Sequence, residues 1–329
     1  MPTRGVGFEG ASLWGLCESA YRQGVVQAVL DQAQQAIVSG RVRTRPPLGH
    51  ELWSVAGEDL EAAAVRVTGA PAAAGNVAVI NVFGLLTQHP TWWTTSTEEL
   101  REAIAAAVAM PEIAAIVLRL NSPGGQVVGL PQLADFMRSA REKKPIYGHA
   151  DSLAASCGYW VLASCTEAWA SPLADTGSIG VFFEHMSFAG MDLKAGIKRT
   201  MIKFPEGKAL AWDGEDLSEE AQEYLLAKVR TAYGAFAGAV AKGRGVAIEK
   251  VRSDEWGRGR TLEASAAAAV GMLNGVRTFG ETVSAAARAG KARASATPRA
   301  EESGPAIQAE EPDADLRADL EQYGARAGA

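Results

Sequence analysis

Short apolar segments alternate with helical segments through the middle of this chain of 329 residues. Apolar, β-branched runs predict strands at residues 77–83, 113–120 and 145–149. Helical patterns follow these runs in turn, at residues 97–110, 130–141 and 152–164. Strands that alternate with helices favour right-handed crossovers between parallel strands. The predicted fold class is therefore α/β, with a mostly parallel sheet.

Serine residues mark the starts of two predicted helices. Ser96 and Glu99 have the spacing of a capping box, which opens the helix at residues 97–110. Ser218 precedes a longer helix that has acidic residues in its first turn and runs to about residue 241, where a glycine-rich stretch ends it. Two shorter helices, predicted at residues 264–273 and 282–287, complete the packed region.

Composition divides the chain into three regions. Residues 1–75 have a mixed pattern with a proline-rich break and are interpreted as an N-terminal arm or subdomain. Residues 76–290 contain the strands and helices of the core domain. Residues 291–329 are rich in alanine and acidic residues and contain almost no large apolar side chains. Such a segment cannot bury enough surface to offset its chain entropy, so a disordered tail is predicted.

The charge and the cysteines exclude several classes of function. The net charge is −6, and the absence of a strong basic run argues against nucleic-acid binding. The three cysteines, Cys17, Cys157 and Cys165, have neither a disulfide-framework spacing nor a histidine in a metal-ligand pattern. We therefore expect a reducing compartment, no structural metal and no cofactor.

No targeting or membrane signal is visible in the sequence. Residues 1–12 lack a basic region followed by an apolar run, and no stretch reaches eighteen apolar residues without charges or turn signals. We expect a soluble protein that is not exported and does not bind a membrane.

Three features, in order along the chain, predict a site for acyl transfer. A glycine pair, Gly124 and Gly125, follows a buried strand and can direct backbone N–H groups at a bound carbonyl. Ser156 lies among small residues near the start of a helix, where the amide of Cys157 is a further oxyanion donor. Lys208, in a polar segment, is a candidate base for the serine hydroxyl. Each feature alone has an ordinary structural explanation.

Other assignments of nucleophile and base remain open at this point. The Cys157 thiol is a weaker candidate nucleophile, because nothing nearby in the sequence activates it. His185 and Asp192 form a Ser-His-Asp set with Ser156, although this histidine suits a structural role better. His149 is interpreted as a packing residue. The lysines that compete with Lys208 for the role of base are Lys194, Lys198 and Lys203.

The chain resembles the signal-peptide-peptidase-A-like serine peptidases over residues 77–276. The motifs that carry the resemblance are 121–125 (NSPGG), 155–159 (ASCGY), 176–181 (TGSIGV), 207–208 (GK), 217–220 (LSEE), 242–245 (KGRG), 259–261 (GRT) and 269–273 (AVGML). The family commonly has glycine in place of Cys157, and Gly-Leu-Val-Asp where this chain has Gly-Met-Leu-Asn at 271–274. The resemblance implies the Clp/crotonase-like fold, a superhelix of repeated β-β-α units.

The resemblance also implies roles for the site residues. Ser156 is the expected nucleophile and Lys208 the expected general base, at the family's spacing of 52 residues. The amides of Gly124, Gly125 and Cys157 form the expected oxyanion hole. Since Cys157 contributes a backbone N–H, the cysteine is compatible with this chemistry.

A member of this family that has no membrane anchor but has an N-terminal arm and an acidic tail resembles the head-maturation proteases of tailed phages. That resemblance implies capsid, scaffold or portal proteins as substrates, a homo-oligomer, and a location in the bacterial cytoplasm or inside a procapsid. Two alternatives stay open. One is a crotonase-like acyl-CoA enzyme, and the other is a non-catalytic capsid assembly module.

Overall fold

The computed structural model describes residues 14–16, 50–54, 65–66, 76–91 and 94–296. The described residues up to Ala294 belong to one compact unit. The predicted disordered tail begins at residue 291, but residues 291–296 are described and helical. The rest of the predicted tail and most of the predicted N-terminal arm lie outside the described residues.

The described strands form one sheet. They are β1 (Trp14–Leu16), β2 (His50–Ser54), β3 (Val65–Arg66), β4 (Asn76–Thr87), β5 (Thr95–Ser96), β6 (Ile113–Gln126), β7 (Ile146–Ala155), β8 (Glu167–Ala170), β9 (Asp175–Gly177), β10 (Thr261–Glu263) and β11 (Gly275–Val276). The main path through the sheet runs β10-β9-β7-β6-β4-β2-β3.

Pairing in the centre of the sheet is parallel. β6 pairs in parallel with β4 on one edge and with β7 on the other, and β7 continues in parallel to β8 and β9. Antiparallel pairs occur at the periphery, where β2 joins β4 and β10 joins β9. The predicted α/β fold with a mostly parallel sheet is confirmed, and it is consistent with the Clp/crotonase-like fold.

Serine caps and glycines set the helix boundaries. The Ser96 Oγ accepts the N–H groups of Glu98 and Glu99 at 3.1 and 3.3 Å, and Ser218 caps the longest described helix, which ends at the left-handed Gly245. The described α-helices are α1 (Thr97–Ala109), α2 (Leu130–Lys143), α3 (Cys157–Ala163), α4 (Ala189–Lys194), α5 (Glu219–Arg244), α6 (Ile248–Val251), α7 (Ala264–Ala269) and α8 (Phe279–Ala296).

The central strands are buried on both faces, as expected for parallel strands. Neighbouring residues along β4 point to opposite sides: Ile80 packs into the main core with α1, α2, α3 and α5, and Val79 packs against α8. Gly290 permits the close approach of α8, because a Cβ there would lie 2.7 Å from the main chain of Ala114. The structure thus has the longer helix α8 where a short helix was predicted at 282–287.

Two predicted boundaries near the site differ from the structure. The predicted turn at residues 121–125 continues β6 as extended chain, with register shifts against both neighbours. The helix predicted at 152–164 begins only at Cys157, because β7 extends through Ala155 and pairs with β9. Small residues carry little hydrophobic periodicity, so sheet pairing rather than local pattern decides the conformation here.

His149 is buried in β7, in agreement with its interpretation as a packing residue. Its ring nitrogens lie 2.9 Å from Thr282 Oγ1 and 3.0 Å from Ser171 Oγ, and its ring meets Phe279 edge to face. Burial disfavours the charged imidazolium and lowers the pKa of His149 to about 4. The histidine therefore joins β7 to α8 in its neutral form.

We expect stability to fall as the pH decreases through the titration of His149. Below about pH 6.5 the unfolded chain takes up a proton that the folded protein binds only near pH 4, so about 3 kcal/mol of stability is lost between these values. Urea denaturation between pH 7 and pH 4 measures the loss. The His149→Gln variant should lack this component, and equal pH dependence in both proteins would contradict the assignment.

Candidate active site

Ser156 connects β7 directly to α3 in an unusual backbone conformation. Its φ is +51° and its ψ is −120°, a region that residues with a side chain rarely adopt. Such a conformation costs about 1–3 kcal/mol and persists only where the surroundings enforce it, as they do at many active sites. A serine at a strained strand-to-helix turn is also the arrangement that presents the nucleophile of many hydrolases.

Hydrogen bonds hold the main chain of Ser156 on both sides. Its N–H donates to the Gly177 carbonyl at 2.7 Å, and its carbonyl accepts the Trp160 N–H at 2.9 Å. Its hydroxyl lies 3.5 Å from the carbonyl of Gly180, a long contact that binds the proton weakly. The side chain is 0 % exposed. The turn is thus rigid, while the hydroxyl is not committed to a strong hydrogen bond.

The first turn of α3 is anchored in the core. The Trp160 ring stacks on Phe236 of α5 at 4.6 Å between centroids and an interplanar angle of 7°. The Tyr159 hydroxyl donates to the Met272 carbonyl at 2.9 Å, and burial raises the pKa of this phenol. These contacts fix the helix that follows Ser156.

The end of β6 requires glycine at two successive positions. Gly124 has a φ of +112°, which favours glycine, and a Cβ on Gly125 would overlap the main chain of Leu86. Ser122 supports this stretch, since its Oγ donates to the Gly84 carbonyl at 2.6 Å and accepts the Gly124 N–H at 3.2 Å. Ser122 had no predicted role; the available signal in the sequence was its position two residues before the glycines.

The structure brings the serine turn and the glycine pair together. Ser122 of β6 pairs with Ala154 of β7, two residues before Ser156, so the serine turn and the glycine pair lie at the same level of the sheet. Gly158 permits the close contact between them, because a Cβ there would lie 3.1 Å from Ser122. The Cys157 Sγ lies 3.4 Å from the Gly125 carbonyl and is buried, an environment that suits packing rather than nucleophilic attack.

Lys208 lies in an exposed part of the chain. Its backbone N–H donates to the Pro205 carbonyl at 3.0 Å, and its side chain is exposed to solvent. In the part of the chain that the structure describes, no hydrogen bond joins Lys208 to Ser156. The competing lysines are exposed as well: Lys194, Lys198 and Lys203.

Residues 189–212, here called the excursion segment, leave the core and return to it. Hydrogen bonds close its base: the Phe188 N–H donates to the Asp213 carbonyl at 2.7 Å, and Ser187 Oγ donates to the Asp216 carboxylate at 2.6 Å. The segment exposes several large apolar side chains. Three of them are Leu193, Ile202 and Phe204, exposed by 81 %, 95 % and 92 %. A concentration of such side chains is typical of an interaction surface.

The Ser-His-Asp alternative receives no support from the contacts. His185 Nε2 lies 3.2 Å from the Glu215 carbonyl, and Asp192 forms an ion pair with Arg199 at 2.7 Å. Within residues 76–91 and 94–296, neither side chain has a hydrogen bond to Ser156. Both residues instead stabilise the excursion segment and its base.

Comparison with known proteins identifies the region that carries the site. Residues 138–293 match the model of peptidase family S49, which is slightly less than half of the chain. This region is similar to peptidase family S49 and is here called the S49 domain. Ser156 and Lys208 lie within the S49 domain, whereas Gly124 and Gly125 lie before the matched residues.

Relatives of the S49 domain include bacterial and phage proteins. A protein of Synechocystis named as a protease is 32 % identical over 165 residues, which cover 50 % of this chain and 58 % of that protein. The signal peptide peptidase SppA of Enterococcus faecium is 29 % identical, with coverages of 48 % and 46 %. The capsid assembly protease C of Escherichia phage lambda is 25 % identical, with coverages of 54 % and 42 %. The chain spans about half the length of these curated relatives.

Two features are absent from the described residues. Among them, no helix is both long and apolar enough to cross a membrane. The same residues contain no group of three or more histidine, cysteine or acidic side chains arranged to hold a metal ion.

Strain at Ser156 predicts an unusual order of stabilities in the S49 domain. Both Ser156→Gly and Ser156→Ala remove the hydroxyl, but glycine relieves the strained backbone, so Ser156→Gly should be more stable by about 1 kcal/mol. Urea denaturation measures the difference. Ser164, with a φ of −83°, is the matched control, and there alanine should be the more stable replacement. A Ser156→Gly variant that is less stable than Ser156→Ala would argue against strain.

Proposed function

We propose that this protein is a serine endopeptidase in which Ser156 is the nucleophile and Lys208 the general base. The observation that carries the proposal is the strained turn at Ser156, held beside the glycine pair of β6 inside an S49 domain. A strained backbone at a hydroxyl residue has no packing advantage, and it is a common feature of nucleophiles.

In the proposed mechanism, the Ser156 Oγ attacks the scissile carbonyl of a bound peptide. Neutral Lys208 takes the hydroxyl proton and later delivers it to the leaving amine, after which water releases the acyl group. The amides of Gly125 and Cys157 stabilise the oxyanion, together with that of Gly124. The Gly124 N–H already donates to Ser122 Oγ at 3.2 Å, so Ser122 positions this donor in the free protein.

A second copy of the chain is proposed to complete the site. A lysine acts as a base only where desolvation favours its neutral form, and Lys208 is exposed in this chain. Lys208 lies in the excursion segment, which also exposes Leu193, Ile202 and Phe204. Docking of this segment on another copy would bury the apolar side chains and remove Lys208 from water. A homo-oligomer is therefore part of the proposal.

Capsid, scaffold or portal proteins are the proposed substrates, in the cytoplasm of a bacterial host or inside a procapsid. The support is the likeness to the capsid assembly protease of phage lambda. Co-expression with candidate capsid and portal proteins, followed by mass spectrometry of the products, tests the substrate. Cleavage that requires Ser156 supports the assignment, and intact proteins contradict it.

A serine-directed fluorophosphonate tests the chemistry without knowledge of the substrate. We expect covalent labelling of wild-type protein, mapped by mass spectrometry to the peptide that contains Ser156. An enzyme of the acyl-CoA class would instead bind CoA thioesters and tolerate Ser156→Ala. A protein that neither labels nor cleaves any of these substrates would favour the non-catalytic assembly module.

A further inference from the structure

The end of β6 has an edge on which a short strand of the same chain lies. β1 pairs antiparallel with β6, with Trp14 opposite Gln126, Gly15 opposite Gly125 and Leu16 opposite Gly124. The residues of β6 in these pairs are the glycine pair of the candidate active site and its neighbour. The strand that is earliest in the described chain thus meets the candidate oxyanion hole.

Strand pairing shows on which side of β6 this contact lies. Every strand has two edges, and Gly124 and Gly125 already pair with Leu85 and Leu86 of β4 on one of them. The other edge belongs to β7 as far as Ser122, where the last β6–β7 pair occurs. β7 ends at Ala155, just beyond its last pair with β6, and β1 occupies this edge of β6 at residues 124–126. β1 therefore lies on the Ser156 side of β6.

That location is where a substrate's main chain has to pass. A scissile carbonyl must reach both Ser156 and the amides of residues 124–125, which lie at the same level of the sheet. An extended peptide on this edge would add a strand to β6 through main-chain hydrogen bonds. Gly15 and Gly125, which face each other, both lack a side chain, so the two main chains can approach closely there.

The candidate active site is buried, as expected if β1 occupies the edge of β6. Ser156, Gly124, Gly125 and Cys157 are all buried in this structure. A nucleophile that is closed to solvent cannot meet a protein substrate until whatever covers it moves away. β1 is the strand placed to cover the edge, because it pairs with the glycines themselves.

We propose that the edge formed by residues 124–126 is the peptide-binding strand of this protein and that residues 14–16 occupy it as an internal competitor. The occupant is recognised through its main chain, as an extended segment antiparallel to β6. A tethered segment has an effective concentration of roughly millimolar, so even weak pairing reduces the access of other peptides. The consequence for catalysis rests on the proposed function, whereas the pairing itself does not.

A binding experiment on the full-length chain tests the proposal. The variant Gly15→Pro/Leu16→Pro removes both backbone N–H groups, whichever of them faces β6, and Leu16→Ala is the control that keeps every N–H. The proline variant and the Leu16→Ala control each also contain Ser156→Ala, so that no peptide is cleaved. The probe is a fluorescent peptide of residues 10–20 with Cys17→Ser, and its affinity is measured by anisotropy.

We expect the proline variant to bind the probe at least about tenfold more tightly than the control, because its own strand no longer competes. Hydrogen exchange should also be faster at residues 124–126 in the proline variant without the probe, and addition of the probe should slow it. Equal affinities, or no binding to either protein, would overturn the proposal. Should the double variant fail to fold, Leu16→Pro is compared with Leu16→Ala.

Hydrolysis of unfolded casein by the same variants with Ser156 restored separates this inference from the proposed function. An active protease whose proline variant cleaves no faster and binds no tighter would overturn the inference alone. Tighter probe binding by a protein without any hydrolysis would support the strand and contradict the peptidase.

Discussion

Replacement of Ser156 by alanine is expected to reduce kcat/KM for protein substrates by about 10³-fold or more. The loss follows from removal of the only proposed nucleophile, while the amides of the oxyanion hole remain. The fold should persist, because the Ser156 hydroxyl makes only a long contact of 3.5 Å with the Gly180 carbonyl. Casein hydrolysis and circular dichroism of the purified variant measure the two properties.

Ser152, in β7 just before the Ser156 turn, provides the matched control. It is exposed, and its Oγ donates to the Asn121 side chain at 2.8 Å, away from the strained turn. Ser152→Ala should cleave casein at the wild-type rate. Retention of activity by Ser156→Ala would exclude this serine as nucleophile, and binding of a CoA thioester by that active variant would support the crotonase-like alternative.

Replacement of Lys208 is expected to have an effect of similar size. Lys208→Ala removes the proposed base, and Lys208→Arg should be equally inactive because a guanidinium stays protonated and cannot accept the hydroxyl proton. Loss of activity in both variants would show that residue 208 must accept a proton and that a positive charge alone is not sufficient. Lys203→Ala, in the same exposed run, and His185→Ala should retain activity.

Mixing two inactive variants tests the contribution of a second copy. If Lys208 of one copy serves Ser156 of another, Ser156→Ala and Lys208→Ala proteins should regain activity when they assemble together. Substitution of Phe204 by serine should weaken assembly and lower activity, because this exposed ring belongs to the proposed contact. An inactive mixture, with assembly confirmed by light scattering, would place the base within one chain.

Local signals in the sequence predicted the helix starts well. The caps at Ser96 and Ser218 lie at the predicted positions, and the helix predicted at 130–141 spans residues 130–143, because side-chain capping and helical periodicity are local properties. The strands at the site were predicted less well. Residues 121–125 and 152–155 were predicted as turn and helix, yet both continue strands whose partners are distant in sequence.

The ordered set of Gly124, Gly125, Ser156 and Lys208 was recognisable from the sequence alone, as was the α/β class, since both depend on residue type and spacing. Only the tertiary structure decided three other matters. It strained the Ser156 turn between β7 and α3, placed that turn beside the glycines through the pairing of Ser122 with Ala154, and laid β1 along the same edge. Each depends on hydrogen bonds between strands far apart in the chain, for which a single sequence contains no local signal.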